Sequence, residues 1–160
     1  MAEELEQLAI ALGQRLVARG LRVATAESCT GGLVAAAITA IAGSSQWFER
    51  GFITYSSEAK IEVLGVPQAT LDEFGSVSEE TARALALGAL ERSLADVSVA
   101  VTGIAGPAGG SPGKQVGMVC FGWAVQGTAT TTATRHFSGG REAVRQASVV
   151  AALEGLIACL

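Results

Sequence analysis

The stretch ATAESCTGGLVAAAITAI, residues 24–41, decides the fold of this chain. The apolar residues 21–26 lead into it as a buried strand, and residues 31–41 leave it as a helix rich in alanine and isoleucine. That helix has no clear polar face, which predicts burial on most sides. Between the two stand Glu27, Ser28, Cys29, Thr30, Gly31 and Gly32, small polar groups and two glycines at a strand-to-helix junction. The first N–H groups of a helix lack internal partners and carry partial positive charge, so they receive anions or a developing oxyanion. A hydroxyl at such a turn is either an N-cap or a nucleophile, and this stretch alone leaves both open.

Working outward, Leu5, Leu8, Leu12 and Leu16 form one stripe of a helix over 3–19, which Gly20 stops. WFERGFITYS predicts a second strand ending near Tyr55, and Glu58 to Leu64 a short helix closed by the Gly65-Val66-Pro67 turn. Residues 68–74 suit another short helix, and Ser78 caps a longer one with Glu79 and Glu80 in its first turn. VSVAVT (97–102) is a strand entering the glycine-rich loop GIAGPAGGSPGK (103–114). A continuous apolar run, 116–125, predicts a strand central in its sheet, and the threonines of 128–137 suit an antiparallel strand nearer an edge. After Gly139-Gly140 a final helix runs to Leu160, with Val150, Leu153, Ile157 and Leu160 expected to face the core. Strands mixed with long helices, without repeat or linker, predict one α/β domain over 1–160: a three-layer α/β/α sandwich around a mixed sheet.

Composition narrows the function. Hydrophobic residues make up 49% and charged residues 16% of 160 residues, enough apolar surface for a substantial core. Sparse surface charge also fits a homo-oligomer. The net charge is −4 with no basic run, which argues against direct nucleic-acid binding. No apolar run reaches the roughly 20 residues of a membrane span, and the acidic N-terminus does not resemble a signal peptide. Cys29, Cys120 and Cys159 have neither metal nor disulfide spacing, so they are expected to be reduced thiols in a cytoplasmic protein, with no metal or cofactor required.

Candidate chemistry is then limited. The second glycine loop is not a P-loop, because Ala108 and Gln115 stand where glycine and a hydroxyl are needed and Lys114 precedes a strand. Its five glycines nonetheless suit close approach of a ligand. His136 is the one histidine and lies on a probable edge strand, so a serine hydrolase here needs another base. A lysine kept neutral by burial can serve. Lys60 follows Tyr55 by five residues at a strand end; the pair could face one pocket, or Lys60 could be a solvated helix residue. Cys29 is read as packing. Arg141 and Arg145 share one helix face and could hold an anion or simply be solvated.

TAESCTGG (25–32), GSSQWFERGFITYSSEAKIEVLGV (43–66) and VTGIAGPAGGSP (101–112), followed by FSGGREAVRQAS (137–148), together resemble the CinA C-terminal-domain family, in order and spacing across nearly the whole chain. The resemblance implies a nicotinamide-nucleotide amidohydrolase, converting nicotinamide mononucleotide (NMN) and water to nicotinate mononucleotide and ammonia in pyridine-nucleotide salvage. It also implies the stand-alone form, without the molybdopterin-binding-like domain that many relatives carry. Residue by residue it makes Ser28 the nucleophile, Lys60 the base and Tyr55 its proton-relay partner. The segment Thr102, Gly103, Ile104, Ala105, Gly106 and Pro107 would line the substrate, and Arg145 would hold its phosphate or nicotinamide end. Ser57 departs from the family's usual asparagine and Gly140 from a common aspartate.

These implications define an expected course. Lys60 takes the proton of Ser28, directly or through Tyr55, and Ser28 attacks the carboxamide. The oxyanion would be held by N–H groups of the Thr30-Gly31-Gly32 turn or of the 102–106 loop. The alternative is a non-catalytic nucleotide-binding protein of the same fold, acting through protein partners in competence or DNA-damage responses.

Overall fold

In the computed structural model, which describes residues 2–160, three strands alternate large and small side chains and give one sheet two unlike faces. These are β1 (Val23–Glu27), β3 (Val97–Gly103) and β4 (Met118–Val125). Val23, Val97, Val99, Val101, Val119, Phe121 and Trp123 join one core cluster; Ala24, Ala26, Ala100 and Ala124 join another on the opposite face. Period-two alternation places successive side chains on opposite faces, so both cores follow from the same strands.

The large-residue face is covered by α1 (Ala2–Arg19), α2 (Leu33–Thr39) and α6 (Arg141–Ala158). The small-residue face receives α5 (Glu79–Glu91), flanked by α3 (Ser57–Leu64) and α4 (Gln68–Phe74). Small side chains let α5 sit close to the sheet. The Ser98 hydroxyl donates to the Ala86 carbonyl at 2.7 Å, and a Cβ on Gly122 would lie 2.5 Å from the Ala82 carbonyl oxygen.

With β2 (Phe48–Ile53) and β5 (Thr131–His136) the strand order is β2-β1-β3-β4-β5. β2, β1 and β3 are parallel, while β4 and β5 run antiparallel. The chain leaves β1 through α2 on one face to reach β2, then crosses on the other face through α3, α4 and α5 to reach β3. The strand order therefore reverses at β1, and the loops after β1 and β3 part to leave a crevice at their carboxyl ends. Register sets Glu27 beside Val101 and Ile53, so those loops begin level with one another.

The three-layer architecture and mixed sheet agree with the sequence, as do the Gly65 stop of α3 and the Ser78 cap of α5, while α2 is shorter than the expected 31–41 and α3 starts at Ser57 rather than Glu58. Ser56 caps α3 by accepting from Ala59 N–H at 3.0 Å, Gly65 closes it at φ +70°, and Ser78 caps α5 by accepting from Thr81 N–H at 3.1 Å. Three more expectations are corrected. α2 buries only Val34 and Ile38, leaving Ala36, Thr39 and Ala40 exposed; alanine favours helix wherever it lies, so an apolar composition did not mean burial. In α6 the expected core residues Leu153, Ile157 and Leu160 do meet the core, whereas Val150 does not join it and Val144, Val149 and Leu156 complete the inward stripe. β3, not β4, is the middle strand, although β4 is interior.

Candidate active site

The hydroxyl of Ser28 does not cap α2. Glu27, the last residue of β1 and only 1% exposed, turns its carboxylate onto the helix start. One oxygen accepts from Thr30 Oγ1 at 2.6 Å, Gly32 N–H at 3.2 Å and Val34 N–H at 2.9 Å. The other accepts from Ala35 N–H at 3.0 Å. A residue of the protein therefore occupies the place that an external anion would take. Two of the three expected oxyanion donors of this turn are committed elsewhere: Gly32 N–H serves Glu27, and Gly31 N–H donates to the Ser28 carbonyl at 3.0 Å, while Thr30 N–H has no acceptor among the described residues.

Capping by Glu27 leaves Ser28 Oγ to Lys60. The Lys60 side chain is 1% exposed, and its Nζ lies 3.0 Å from Ser28 Oγ, 2.8 Å from the Thr54 carbonyl oxygen and 3.2 Å from that of Tyr55. An ammonium satisfies all three by donation. A neutral amine has two N–H bonds and one lone pair; the carbonyls can only accept, so the lone pair is left for the Ser28 O–H. Burial lowers the Lys60 pKa, with a smaller opposing effect from Cys29. Among the described residues, no carboxylate touches Lys60 to restore its charge. The solvated alternative for Lys60 is thereby overturned.

These groups open into a cavity of about 440 Å³, within the range of small-molecule sites. Ser28, Cys29, Tyr55 and Lys60 form one wall; Gly75, Ser76 and Val77 form another, fixed to β3 where the Thr102 hydroxyl donates to the Ser76 carbonyl at 2.7 Å. The end of β3 and the loop after it complete the cavity with Thr102, Gly103, Ile104, Ala105 and Gly106. Ala105 and Gly106 are buried, and their N–H groups have no acceptor among the described residues.

Other expected site residues fall elsewhere. Thr30, Gly31 and Gly32 do not line the cavity. Neither does Arg145, whose guanidinium donates to the carbonyls of Cys29 at 3.1 Å and Thr30 at 3.4 Å, holding the loop from behind. Arg141, one turn earlier, does face the cavity; it donates to the Gly106 carbonyl at 2.8 Å and to the Tyr55 hydroxyl at 3.1 Å. Tyr55 is 62% exposed, and Lys60 meets its backbone carbonyl rather than its hydroxyl, so Lys60 and Ser28 touch without a relay. Burial pushes the Cys29 thiol up to about 11, which keeps it protonated near neutrality.

Glu27 and Lys114 are the site residues that sequence reasoning left without a role, and for Arg141 it left anion binding and solvation open. For Glu27 a signal existed: an acidic residue at the end of a strand that runs into a helix start whose N-cap position, Gly32, carries no side chain. Among the described residues, no group of three or more His, Cys, Asp or Glu side chains is arranged to share a metal ion, and no helix is long and apolar enough to cross a membrane.

The profile of the family described as the CinA C-terminal domain matches residues 5–160. A protein of Enterobacter agglomerans named nicotinamide-nucleotide amidohydrolase PncC is 53% identical over 152 residues, covering 95% of this chain and 93% of that protein. Its namesake in Escherichia coli K12 is 52% identical over 153 residues, covering 96% and 93%. The crystal structure of the competence/damage inducible protein CihA from Agrobacterium tumefaciens superposes with a TM-score of 0.94 at 49% identity, covering 97% of this chain and 94% of that one.

Proposed function

Because this chain belongs to the CinA C-terminal domain family, we propose that it hydrolyses the carboxamide of NMN to nicotinate mononucleotide and ammonia. The observation that carries the reading is the buried Lys60 amine against Ser28 Oγ on the wall of the cavity. The names of the E. agglomerans and E. coli relatives supply the substrate. The product acid would return to pyridine-nucleotide synthesis, which makes the reaction a salvage step.

In the proposed course, neutral Lys60 takes the Ser28 proton as Oγ attacks the carboxamide carbon. The tetrahedral oxyanion is held by Ala105 and Gly106 N–H groups. Lys60, now an ammonium, delivers its proton to the departing nitrogen, and ammonia leaves an ester on Ser28. Water then attacks that ester, giving its proton to Lys60, which returns one to Ser28 Oγ as the carboxylic acid departs. The Thr54 and Tyr55 carbonyls accept from Lys60 throughout, so its lone pair stays aimed at the reacting atoms.

The test is ammonia release from NMN by the purified wild-type protein beside Ser28→Ala and Lys60→Ala, each with folding checked by circular dichroism. The reading requires turnover by the wild type and its loss in both variants. A folded wild type that releases no ammonia from NMN would sink it, and the competence-related binding function would then lead.

A further inference from the structure

The cavity is cationic in an acidic protein. Lys114 and Arg141 line it beside the Lys60 amine, and among the described residues no aspartate or glutamate does, although the chain carries a net charge of −4. Lys60 lies at Ser28, with its donors committed as described. Lys114 and Arg141 are different: neither is paired with a carboxylate among the described residues. Lys114 Nζ donates to the Phe74 carbonyl and Arg141 to Gly106 and Tyr55, so each retains N–H groups that no protein acceptor takes.

We infer that Lys114 and Arg141 form a phosphomonoester site, which holds the 5′-phosphate of the mononucleotide while the carboxamide lies at Ser28. The inference rests on the NMN reading and adds the residues that would distinguish a nucleotide from its uncharged riboside.

Both cations are fixed in place. Ser111 and Lys114 exchange backbone hydrogen bonds at 2.8 and 3.0 Å around Pro112-Gly113, a tight turn that sets where the lysine leaves the loop. Its ammonium reaches across Gly75, where a Cβ would come within 2.8 Å of Nζ. Arg141 opens α6 and is oriented by its two bonds from the cavity's other side. A guanidinium and an ammonium held at separate places suit an oxygen-rich dianion, and low charge elsewhere on the walls sharpens the field it meets. Arg145, which the family resemblance put at the substrate's phosphate or nicotinamide end, is turned to the loop that carries Ser28.

Calorimetric titration with ribose 5-phosphate tests the site without requiring turnover. Wild type should bind it, should not bind ribose, and should lose about 10- to 100-fold in affinity in both Lys114→Gln and Arg141→Gln. Failure of the wild type to bind, or equal affinity in all three proteins, would overturn the site. Ammonia release from NMN and from nicotinamide riboside separates the two readings. A loss of kcat/KM in Lys114→Gln at least tenfold larger for NMN than for the riboside supports the site; equal losses on both would overturn it and assign Lys114 to loop anchoring. Ribose 5-phosphate binding without ammonia release from NMN would overturn the amidohydrolase reading and leave the phosphate site standing.

Discussion

The Glu27 carboxylate stands 2.9 Å from the Val34 amide and closes the start of α2 from inside the protein. Ser28, the next residue, is therefore presented by a turn whose hydrogen bonds are internal. Changing Glu27 to Gln keeps the shape but sets an NH2 group against at least one of the N–H donors it faces. Glu27→Gln should lose about 1–3 kcal/mol of stability, read as a lower thermal midpoint. It should also lower kcat more than it raises KM, because the turn that aims Ser28 is loosened while the cavity walls remain.

Lys60 makes the rate depend on pH in a defined sense. Its pKa is depressed by burial, and on the proposed course the neutral amine is the base, so kcat/KM should rise with pH to a midpoint below the ordinary lysine value of about 10.4. Stability follows the same proton. Between the folded and unfolded pKa values the unfolded chain binds more protons, so stability rises as pH climbs through that window. Lys60→Met should lose both the ascending rate limb and this contribution to the stability slope. Lys60→Arg stays charged and should reduce ammonia release by at least about 100-fold.

Cys29 touches the same cavity but should be inert. With its thiol pushed up to about 11 by burial, iodoacetamide at pH 7 should label it slowly compared with the unfolded chain. Cys29→Ala should still release ammonia. Rapid labelling that abolishes activity would make the thiol, rather than Ser28, the nucleophile.

Gly88 governs the placement of the helix that carries Lys60. A Cβ there would collide with the Leu64 carbonyl at the end of α3, and the colliding atom is backbone that cannot swing aside. Gly88→Ala should cost about 1–3 kcal/mol and lower activity with it, as α3 is pushed away from Ser28. Thermal melting and the NMN assay on one preparation read both effects.

The elements were legible because each follows a local rule: capping serines, glycine stops, and apolar runs of strand length. Ser28 and Lys60 were candidates on their own chemistry, but only family resemblance set them together, since their separation of 32 residues is closed only when β1 and β2 pair. The partners of Arg141 and Arg145 were illegible for the same reason. Their spacing puts them on one helix face, but four residues along a helix advance it by about 6 Å, enough for one to enter the cavity and the other to pass behind the loop. The large–small alternation of VSVAV was present in the sequence and predicts two faces of unlike depth. A continuous apolar run conceals it, because alanine and valine both count as hydrophobic.

The contact from Arg145 to the Cys29 carbonyl spans 116 residues and comes from the last helix of the chain. During synthesis the first 140 residues can emerge with the strand that bears Ser28, yet the guanidinium that braces its loop is not available until α6 leaves the ribosome. Ser28 thus acquires its full setting only once α6 has been made, and on the proposed function a nascent chain stalled before α6 should release no ammonia from NMN.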